Sequence, residues 1–256
     1  YDDYVYVPYN TSLDMENTLT MEAWVYPTDN GWSNIVMKGS YGYALALSGD
    51  GGSGSCGTAN RLVYWDQSGC SSTIRSELVY NYNKWQHVAV TVEDIGDQLK
   101  IYFYLNGAQD GPYYSNQSSI SNGGNEEHLY IGMQGASCSC NYFGGKIDEL
   151  RVWNVVLNAT DIQNNMNTAL EGNENGLTGY WIVNEGSGTT LTDQTANGND
   201  GTIYGAIWED GGDSKFSVET DSFVVDPGGA YGLNISFKPD TADSFSDELI
   251  LNHNAG

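Results

Sequence analysis

The fold is decided by a stretch in which apolar and polar residues alternate: Leu19-Thr20-Met21-Glu22-Ala23-Trp24-Val25-Tyr26. Successive side chains of a β-strand point to opposite faces of the sheet, so a period of two is typical of a strand with one face in the core. Here Leu, Met, Ala and Val share one face, and Thr, Glu, Trp and Tyr share the other. The stretch therefore predicts a half-buried strand.

Similar runs follow at short intervals along the chain. They cover residues 43–47, 61–65, 85–92, 99–105, 129–133, 146–153, 177–183 and 201–208. Turn-forming sequences separate them, including Asn106-Gly107 and Asn122-Gly123-Gly124, and such sequences favour tight hairpin turns. Many short strands separated by Gly and Asn predict an all-β, antiparallel sandwich of two sheets.

One segment has helical spacing instead. Between Ala159 and Leu170 the apolar residues Ile162, Met166 and Leu170 recur every fourth position. Either Asn158 or Thr160 can cap the start, because both side chains accept hydrogen bonds from the first free amides of a helix. We expect one short surface helix that lies on the sandwich.

The chain is strongly acidic, with 33 Asp and Glu residues against 9 Lys and Arg, and a formal net charge of −24. Nucleic acids and anionic membrane surfaces both attract clusters of basic residues, so the composition argues against both partners. Aromatic residues make up 12% of the chain, which is enough to build a packed core and excludes a disordered acidic tail. The apolar runs are far too short to span a bilayer.

The four cysteines are Cys56, Cys70, Cys138 and Cys140, all in Gly- and Ser-rich stretches typical of loops. Thiols in loops favour one or two disulfides formed in an oxidising compartment, and no further Cys or His stands at zinc-ligand spacing. Three pairings are possible. We favour Cys56–Cys70, because Cys138 and Cys140 are too close in sequence to pair comfortably.

An acidic, glycine-rich run at residues 209–213 indicates a linker. Beyond it, strand-like runs cover residues 216–218, 222–225, 231–237 and 247–251. An antiparallel sandwich needs about seven strands to close its core, so this second unit is incomplete as given. Since the chain also opens on Tyr1, we expect a piece of a longer protein whose second unit is completed by further residues or by another chain.

Six motifs occur in order over about four-fifths of the chain: Asp3-Tyr4-Val5, LTMEAWV at 19–25, WQHVAVT at 85–91, YLNG at 104–107, GKIDELRVWN at 145–154, and the stretch 177–201 around Tyr180-Trp181. Together they resemble the laminin-G-like, concanavalin A-like jelly rolls of bacterial extracellular proteins, close to the pentraxin-related branch. The resemblance implies a jelly-roll β-sandwich over residues 1–209.

Two segments of the second unit, FVVDPGG at 223–229 and ISFKP at 235–239, resemble the first half of Ig-like repeats of the choice-of-anchor D type. Such repeats occur in large bacterial surface proteins. The resemblance implies a partial Ig-like β-sandwich over residues 216–256, joined to the first domain by a linker at residues 210–215.

Many laminin-G-like domains hold one calcium at the rim of the sheets, and calcium requires six to eight oxygen ligands. The resemblance therefore implies calcium as the cofactor, with Asp3 and Asp148 as ligands, because both match motif aspartates. The alternative for Asp148 is an ordinary carboxylate that pairs with Arg151 or a backbone amide. The loop at residues 193–200 is a further candidate, although Asn-Gly turns are usually only turns. The pentraxin calcium site does not carry over, since residues 133–141 contain no carboxylate.

Several aromatic residues lie in or near the predicted loops, where exposed rings can stack on sugar faces. We single out Trp32, Trp65 and Tyr142 as candidate ligand-binding residues, and we also place Tyr113 and Tyr114 in or near loops. The alternative is that some of these rings belong to the core.

Catalysis has little support in the sequence. Glucanases of this fold place an acid and a nucleophile on the same face of one strand. Here Glu93, Asp94 and Asp97 have the wrong spacing, and the successive residues Asp148 and Glu149 are expected on opposite faces. No serine or cysteine nucleophile motif occurs. We therefore predict a domain that is not an enzyme.

These observations predict a non-catalytic, calcium-stabilised recognition or adhesion domain of a secreted or cell-surface protein, with carbohydrate or another extracellular ligand as its partner. The alternative is a structural spacer or subunit of an extracellular adhesin or filament. In that case neighbouring copies assemble by β-strand addition along residues 231–237 of the incomplete Ig-like unit. Neither hypothesis involves nucleic acid or membrane insertion.

Overall fold

The computed structural model describes residues 3–49, 60–65, 73–135 and 140–208, together with the backbone of residues 216–218 and 235–237. It confirms the all-β, antiparallel jelly-roll sandwich. The strands are β1 (Tyr4–Val7), β2 (Thr18–Pro27), β3 (Ser33–Lys38), β4 (Ala44–Ser48), β5 (Arg61–Trp65), β6 (Ile74–Val79), β7 (Gln86–Asp94), β8 (Leu99–Leu105), β9 (Ala108–Ser115), β10 (Leu129–Ile131), β11 (Gly145–Trp153), β12 (Leu177–Trp181), β13 (Thr190–Leu191), β14 (Gly201–Tyr204), β15 (Phe216–Val218) and β16 (Ile235–Phe237). One α-helix, α1 (Ala159–Asn165), and a 3-10 turn at Thr11–Leu13 complete the described elements.

The sandwich consists of two antiparallel sheets. One has eight strands in the order β13-β14-β1-β10-β3-β4-β5-β6, and the other has six in the order β12-β11-β2-β7-β8-β9. A single apolar cluster fills the space between them. The four alternating apolar residues of β2 (Leu19, Met21, Ala23 and Val25) are fully buried in it. The alternation therefore predicted correctly which face of β2 meets the core, and each sheet has a second, outward face.

Three strands escape the alternation rule. All six residues of β3 are buried, so this strand has no exposed face that a period of two would reveal. β9 contains Gly111-Pro112 and lies at the edge of its sheet, where a missing backbone N–H is tolerated. Tyr113 and Tyr114, expected in or near loops, lie in β9 close to its end at Ser115. β6 mixes exposed and buried residues without a clear period.

Helix α1 is capped as expected but is shorter. Asn158 is the N-cap and forms a reciprocal capping box with Asp161. The helix ends at Asn165, five residues before the predicted end. Beyond it, the backbone carbonyls turn toward side chains of the sheet below, because the Trp24 indole donates to the Met166 carbonyl at 2.7 Å and the Arg151 guanidinium donates to two further carbonyls.

A buried ionic cluster holds this helix region to the outward face of the six-stranded sheet. Arg151 Nη1 lies 3.6 Å from Glu22 Oε1, and Arg151 Nη2 lies 2.5 Å from Glu149 Oε2; all three side chains are at most 1% exposed. His87 Nε2 lies 3.4 Å from the other oxygen of Glu22. Burial by itself raises the pKa of Glu22, but the adjacent His87 and the charge on Arg151 outweigh it, so this pKa lies below its ordinary value.

A β-bulge brings Glu149 into the cluster. Asp148 lies opposite Trp24 and Arg151 lies opposite Glu22, which leaves one extra residue on β11, and Glu149 has a φ of 50°. Asp148 and Arg151 therefore share the outward face, and the Glu149 carboxylate also reaches that side to contact Arg151. The expectation that Asp148 and Glu149 point to opposite faces was wrong, because alternation fails at a bulge.

In the second unit the described residues form a two-stranded antiparallel sheet of β15 and β16. Both strands lie within predicted strand-like runs. The other predicted runs, residues 222–225 and 247–251, and the linker at 210–215 lie outside the described residues. The partial Ig-like module at 216–256 and the domain boundaries stay predictions. No helix in the described ranges combines the length and the hydropathy needed to cross a membrane.

The buried cluster gives a stability prediction. Arg151→Met should lower the free energy of unfolding by about 3–5 kcal/mol, because two buried carboxylates lose their cation. Urea denaturation followed by tryptophan fluorescence measures the change. Lys100→Met is the matched control, since Lys100 pairs with Glu93 at 3.5 Å near the surface and such pairs contribute about 0–1 kcal/mol. Equal, small losses in both variants would contradict this role of Arg151.

Candidate functional site

The outward face of the eight-stranded sheet carries a row of side chains in direct register. Asn34 lies opposite Ala46, Ala46 opposite Val63, and Val63 opposite Arg75, across strands β3 to β6. Neighbouring strands are about 4.8 Å apart, so the row is roughly 14 Å long. We define the outer-face patch as this row and the two indole rings beside it: Trp32, Asn34, Ala46, Val63, Trp65 and Arg75.

The floor of the outer-face patch is apolar. Met37, Ala44, Ala46, Val63 and Trp65 form a cluster separate from the sandwich core, and the ring of Trp32 packs against it. Trp65 is 8% exposed and Trp32 is half-buried. Two of the three ligand-binding candidates from the sequence are thus brought together at one site.

Six buried polar atoms of the outer-face patch have no hydrogen-bond partner in the part of the chain that the structure describes. They are Nε1 of Trp32, Nε1 of Trp65, Nδ2 and Oδ1 of Asn34, and Nε and Nη2 of Arg75. The Asn34 side chain is fully buried. A buried polar group without a partner costs about 1–3 kcal/mol, and native proteins contain few of them. Buried atoms without a hydrogen-bond partner also occur in the ionic cluster, on Glu22, His87 and Arg151, but opposite charges compensate them there. The outer-face patch has no such compensation among the described residues, and this makes it the candidate ligand site.

The Arg75 guanidinium stands over the Trp32 ring, with its Cζ atom 5.9 Å from the ring centroid. Burial lowers the pKa of Arg75 from its ordinary value, and an arginine remains charged at neutral pH. The patch therefore presents a partly desolvated cation next to an aromatic face. Because Trp32 and Arg75 are both half-buried, this end of the patch reaches the solvent.

Sequence reasoning missed Asn34 and Arg75. Asn34 precedes the apolar residues Ile35, Val36 and Met37 in a strand that no alternation revealed. Arg75 is one of only nine Lys and Arg residues in the chain, and this rarity is the sequence feature that could have marked it as a candidate binding residue. The register of β3 to β6 is what places the two residues in one row, and register is a tertiary property.

Tyr142, the third ligand-binding candidate, lies outside the outer-face patch. The backbone carbonyl of its neighbour Asn141 accepts a hydrogen bond from the backbone N–H of Asn34 at 3.1 Å, so this loop runs along the edge of β3. Nearby, Cys140 is disulfide-bonded. Cys56, Cys70 and Cys138 lie outside the described residues, and the Cys56–Cys70 pairing stays a prediction.

The calcium candidates Asp3 and Asp148 lie on different sheets. Asp3 precedes β1 and its carboxylate sits against Gly205, where a Cβ would lie 2.2 Å from Asp3 Oδ1. Asp148 Oδ1 accepts the Glu149 amide at 2.9 Å. The described residues include no group of three or more His, Cys, Asp or Glu that could hold a metal. Carboxylate oxygens suit calcium chemically, and backbone carbonyls would have to supply most ligands. Calcium at this pair stays a prediction.

The loop at residues 193–200 is organised by hydrogen bonds. The Asp193 carboxylate is buried and accepts from the amides of Tyr180, Thr195 and Asn199 at 2.8–3.0 Å and from the Thr195 hydroxyl at 2.7 Å. Asp200 accepts the Asp193 amide. Since N–H and O–H donors already occupy the Asp193 oxygens, this residue acts as a turn organiser.

A concavity of about 600 Å³ lies at the rim of the sandwich. Its lining is polar and includes Asp14, Glu16 and several asparagines. However, Asp14 already pairs with Lys38 at 3.0 Å and accepts from the Tyr9 hydroxyl. None of the unpaired buried atoms found in the described residues belongs to this lining. The outer-face patch is therefore the better candidate.

The two facing sheets and the site on an outward face define a jelly-roll β-sandwich domain of the kind found in lectins and glucanases. The comparison with family models agrees: residues 1–163 match the Laminin_G_3 model, described as the concanavalin A-like lectin/glucanases superfamily. The chain belongs to this family. No curated protein matches the sequence.

Several solved structures are similar to this chain at low sequence identity. A candidate carbohydrate-binding protein from Bacteroides ovatus is 19% identical with a TM-score of 0.61, over 93% of this chain and 58% of its own. This chain thus spans little more than half of that protein. Domain 4 of AbnA, a GH43 extracellular arabinanase from Geobacillus stearothermophilus, is 18% identical with a TM-score of 0.45, over 62% of this chain and 70% of its own. A pentraxin from Limulus polyphemus is 14% identical with a TM-score of 0.40, over 63% and 80%.

Asp193 provides a test of the turn-organiser role. Asp193→Ala should lower the free energy of unfolding by at least about 2 kcal/mol, because several buried donors lose their acceptor. The loss should be the same in calcium chloride and in chelator, as measured by thermal or urea denaturation. Asp97→Ala, at an exposed position, is the control and should change little. A loss that appears only with calcium present would show that Asp193 is a metal ligand.

Proposed function

We propose that this domain binds carbohydrate through the outer-face patch. The observation that carries the proposal is the set of six unpaired buried polar atoms beside two indole rings. Sugars offer apolar ring faces and a rim of hydroxyl groups, so a site that combines aromatic faces with unpaired donors and acceptors is complementary to them. The family and the Bacteroides ovatus protein of the same fold agree with this proposal.

The residues of the outer-face patch contribute different contacts to a bound sugar. The Trp32 and Trp65 rings provide apolar surface for a sugar face, and their Nε1 atoms donate to sugar oxygens. The Asn34 amide has one free donor atom and one free acceptor atom, which match the mixed character of neighbouring hydroxyls. Because Asn34 lies on a buried strand, its amide is held in position before the ligand arrives, and this reduces the entropy lost on binding.

The proposal is for a binding domain without catalysis. The outer-face patch contains no carboxylate, and glycoside hydrolysis generally uses a pair of them. The buried carboxylates of Glu22 and Glu149 lie on the other sheet, where Arg151 and helix α1 cover them. Ion pairs with Arg151 already engage both carboxylates. We place the domain on a secreted or cell-surface protein, where polysaccharides are available.

Tryptophan substitution tests the carbohydrate proposal. Trp32→Ala and Trp65→Ala should each weaken binding to a glycan identified on a polysaccharide array by tenfold or more, because buried aromatic anchors dominate such interfaces. Isothermal titration calorimetry gives the affinities. Trp85→Ala is the matched control, since Trp85 packs against Tyr26 on the six-stranded sheet and should leave binding unchanged.

The structural-spacer hypothesis is the alternative, and the same experiments separate the two. β16 lies within the segment 231–237 where a neighbouring strand is expected, and it already pairs with β15. Absence of binding to every glycan on the array, together with concentration-dependent polymers in sedimentation experiments, would favour the spacer. Glycan binding that Trp32→Ala and Trp85→Ala weaken equally would also contradict the proposed site.

Calcium is a separate part of the proposal. We expect Asp3 and Asp148 to contribute carboxylate oxygens to one calcium that stabilises the rim of the sandwich. Calcium chloride should then raise the melting temperature of the chelator-treated protein, and Asp3→Asn and Asp148→Asn should each reduce this rise. Asp97→Asn is the control. A melting temperature that is the same with calcium and with chelator would contradict calcium binding. It would not affect the proposal that the outer-face patch binds carbohydrate.

A further inference from the structure

The unpaired atoms of the outer-face patch are strongly unbalanced in type. Five of them are hydrogen-bond donors: the two indole nitrogens, Asn34 Nδ2, and Arg75 Nε and Nη2. A single one, Asn34 Oδ1, is an acceptor. Sugar hydroxyls can accept from these donors, but each also brings an O–H donor of its own, for which the patch offers few acceptors. An ionised carboxylate accepts only and offers about four acceptor positions.

Arg75 differs from the other two arginines of the chain. Arg61 pairs with Glu77 and Arg151 pairs with Glu22 and Glu149. Arg75 has no carboxylate partner among the described residues, although acidic residues outnumber basic ones by 33 to 9. In so acidic a chain, a partly buried arginine without a carboxylate indicates that the anion comes from outside. The planar guanidinium also presents its N–H groups in the fork that binds a carboxylate through two bonds.

We infer that the ligand of the outer-face patch is an acidic saccharide, with a uronate carboxylate bound by Arg75 beside the two indole rings. This inference rests on the proposed carbohydrate-binding function and specifies its ligand class. Asn34 lies on β3, three strand spacings from the backbone of Arg75 on β6, and contacts hydroxyls of the bound saccharide.

The net charge of −24 opposes the binding of an anionic ligand. A strongly acidic surface repels an anionic polymer at long range, and salt screens this repulsion within about 8 Å at physiological ionic strength. Recognition of a uronate must therefore come from the local contacts of Arg75 and not from the field of the whole protein. Short acidic oligosaccharides at physiological salt are the appropriate probes.

The test compares each acidic oligosaccharide with its own methyl ester, which keeps the sugar backbone and removes the charge. The probes are trimers to hexamers of galacturonate, mannuronate and hyaluronan, with a sulfated carrageenan oligosaccharide as the second source of negative charge. Calorimetric titration uses the wild-type chain, Arg75→Met, Arg75→Lys and Lys100→Met. Lys100→Met removes the same charge on the other sheet, and melting temperatures establish that each variant is folded.

We expect at least one uronate to bind about tenfold to a hundredfold more tightly than its ester, the range for bonds to a charged group. Arg75→Met should abolish this difference, Arg75→Lys should retain part of it, and Lys100→Met should not change it. Arg75→Gln replaces Arg75→Met if the latter fails to fold.

The other outcomes are distinguishable. Equal affinity for uronate and ester, with dependence on Trp32 but not on Arg75, would overturn the acidic ligand and leave the carbohydrate proposal standing. If only the sulfated probe binds in an Arg75-dependent manner, the inference that Arg75 binds a carboxylate is wrong. Binding of no glycan, acidic or neutral, would overturn both the inference and the proposed function.

Discussion

A polar atom that is removed from water without a hydrogen-bond partner destabilises the fold, and this constraint determines how the buried polar groups of the molecule are arranged. Most buried polar groups of the sandwich satisfy it within the chain. Asp193 accepts from three donors of its own loop and from the Tyr180 amide of β12, and the Gln86 side-chain amide bridges backbone groups of the preceding turn. The outer-face patch does not satisfy it, because Asn34 is fully buried with both amide atoms unpaired. Binding of a ligand is the simplest physical reason for tolerating that cost.

The outward faces of the two sheets show how the same architecture serves opposite purposes. On the six-stranded sheet, helix α1 and the segment after it cover a cluster in which each charge lies within 2.5–3.6 Å of an opposite charge or of His87. Some atoms there also lack an ideal hydrogen bond, but the charges compensate one another. On the eight-stranded sheet, Arg75 faces an aromatic ring instead of a carboxylate. The buried charges of the six-stranded sheet are thus paired within the chain, whereas the outer-face patch of the eight-stranded sheet retains hydrogen-bonding groups without a partner among the described residues.

Much of the fold could be predicted from the sequence, because alternation directly reports a strand with one buried face, as in β2. It failed where that premise fails: β3 is buried throughout, β9 contains a proline at a sheet edge, and Glu149 sits at a bulge. Helix α1 ended early because Arg151 and Trp24 attract its last carbonyls, and those residues are distant in sequence. Trp32 and Trp65 were recognisable as candidates from residue type alone. Asn34 and Arg75 were not, since strand register brings them together.

The central claim is that a saccharide supplies the missing partners of the outer-face patch, and the indole N–H groups report on it most directly. The seven tryptophans give separate side-chain signals in a nitrogen-15 correlation spectrum. On saturation with a glycan that binds, the indole signals of Trp32 and Trp65 should shift downfield and exchange more slowly with water, while those of Trp85 and Trp181 stay in place. Saturating binding that leaves the Trp32 and Trp65 indole signals unchanged would contradict the account.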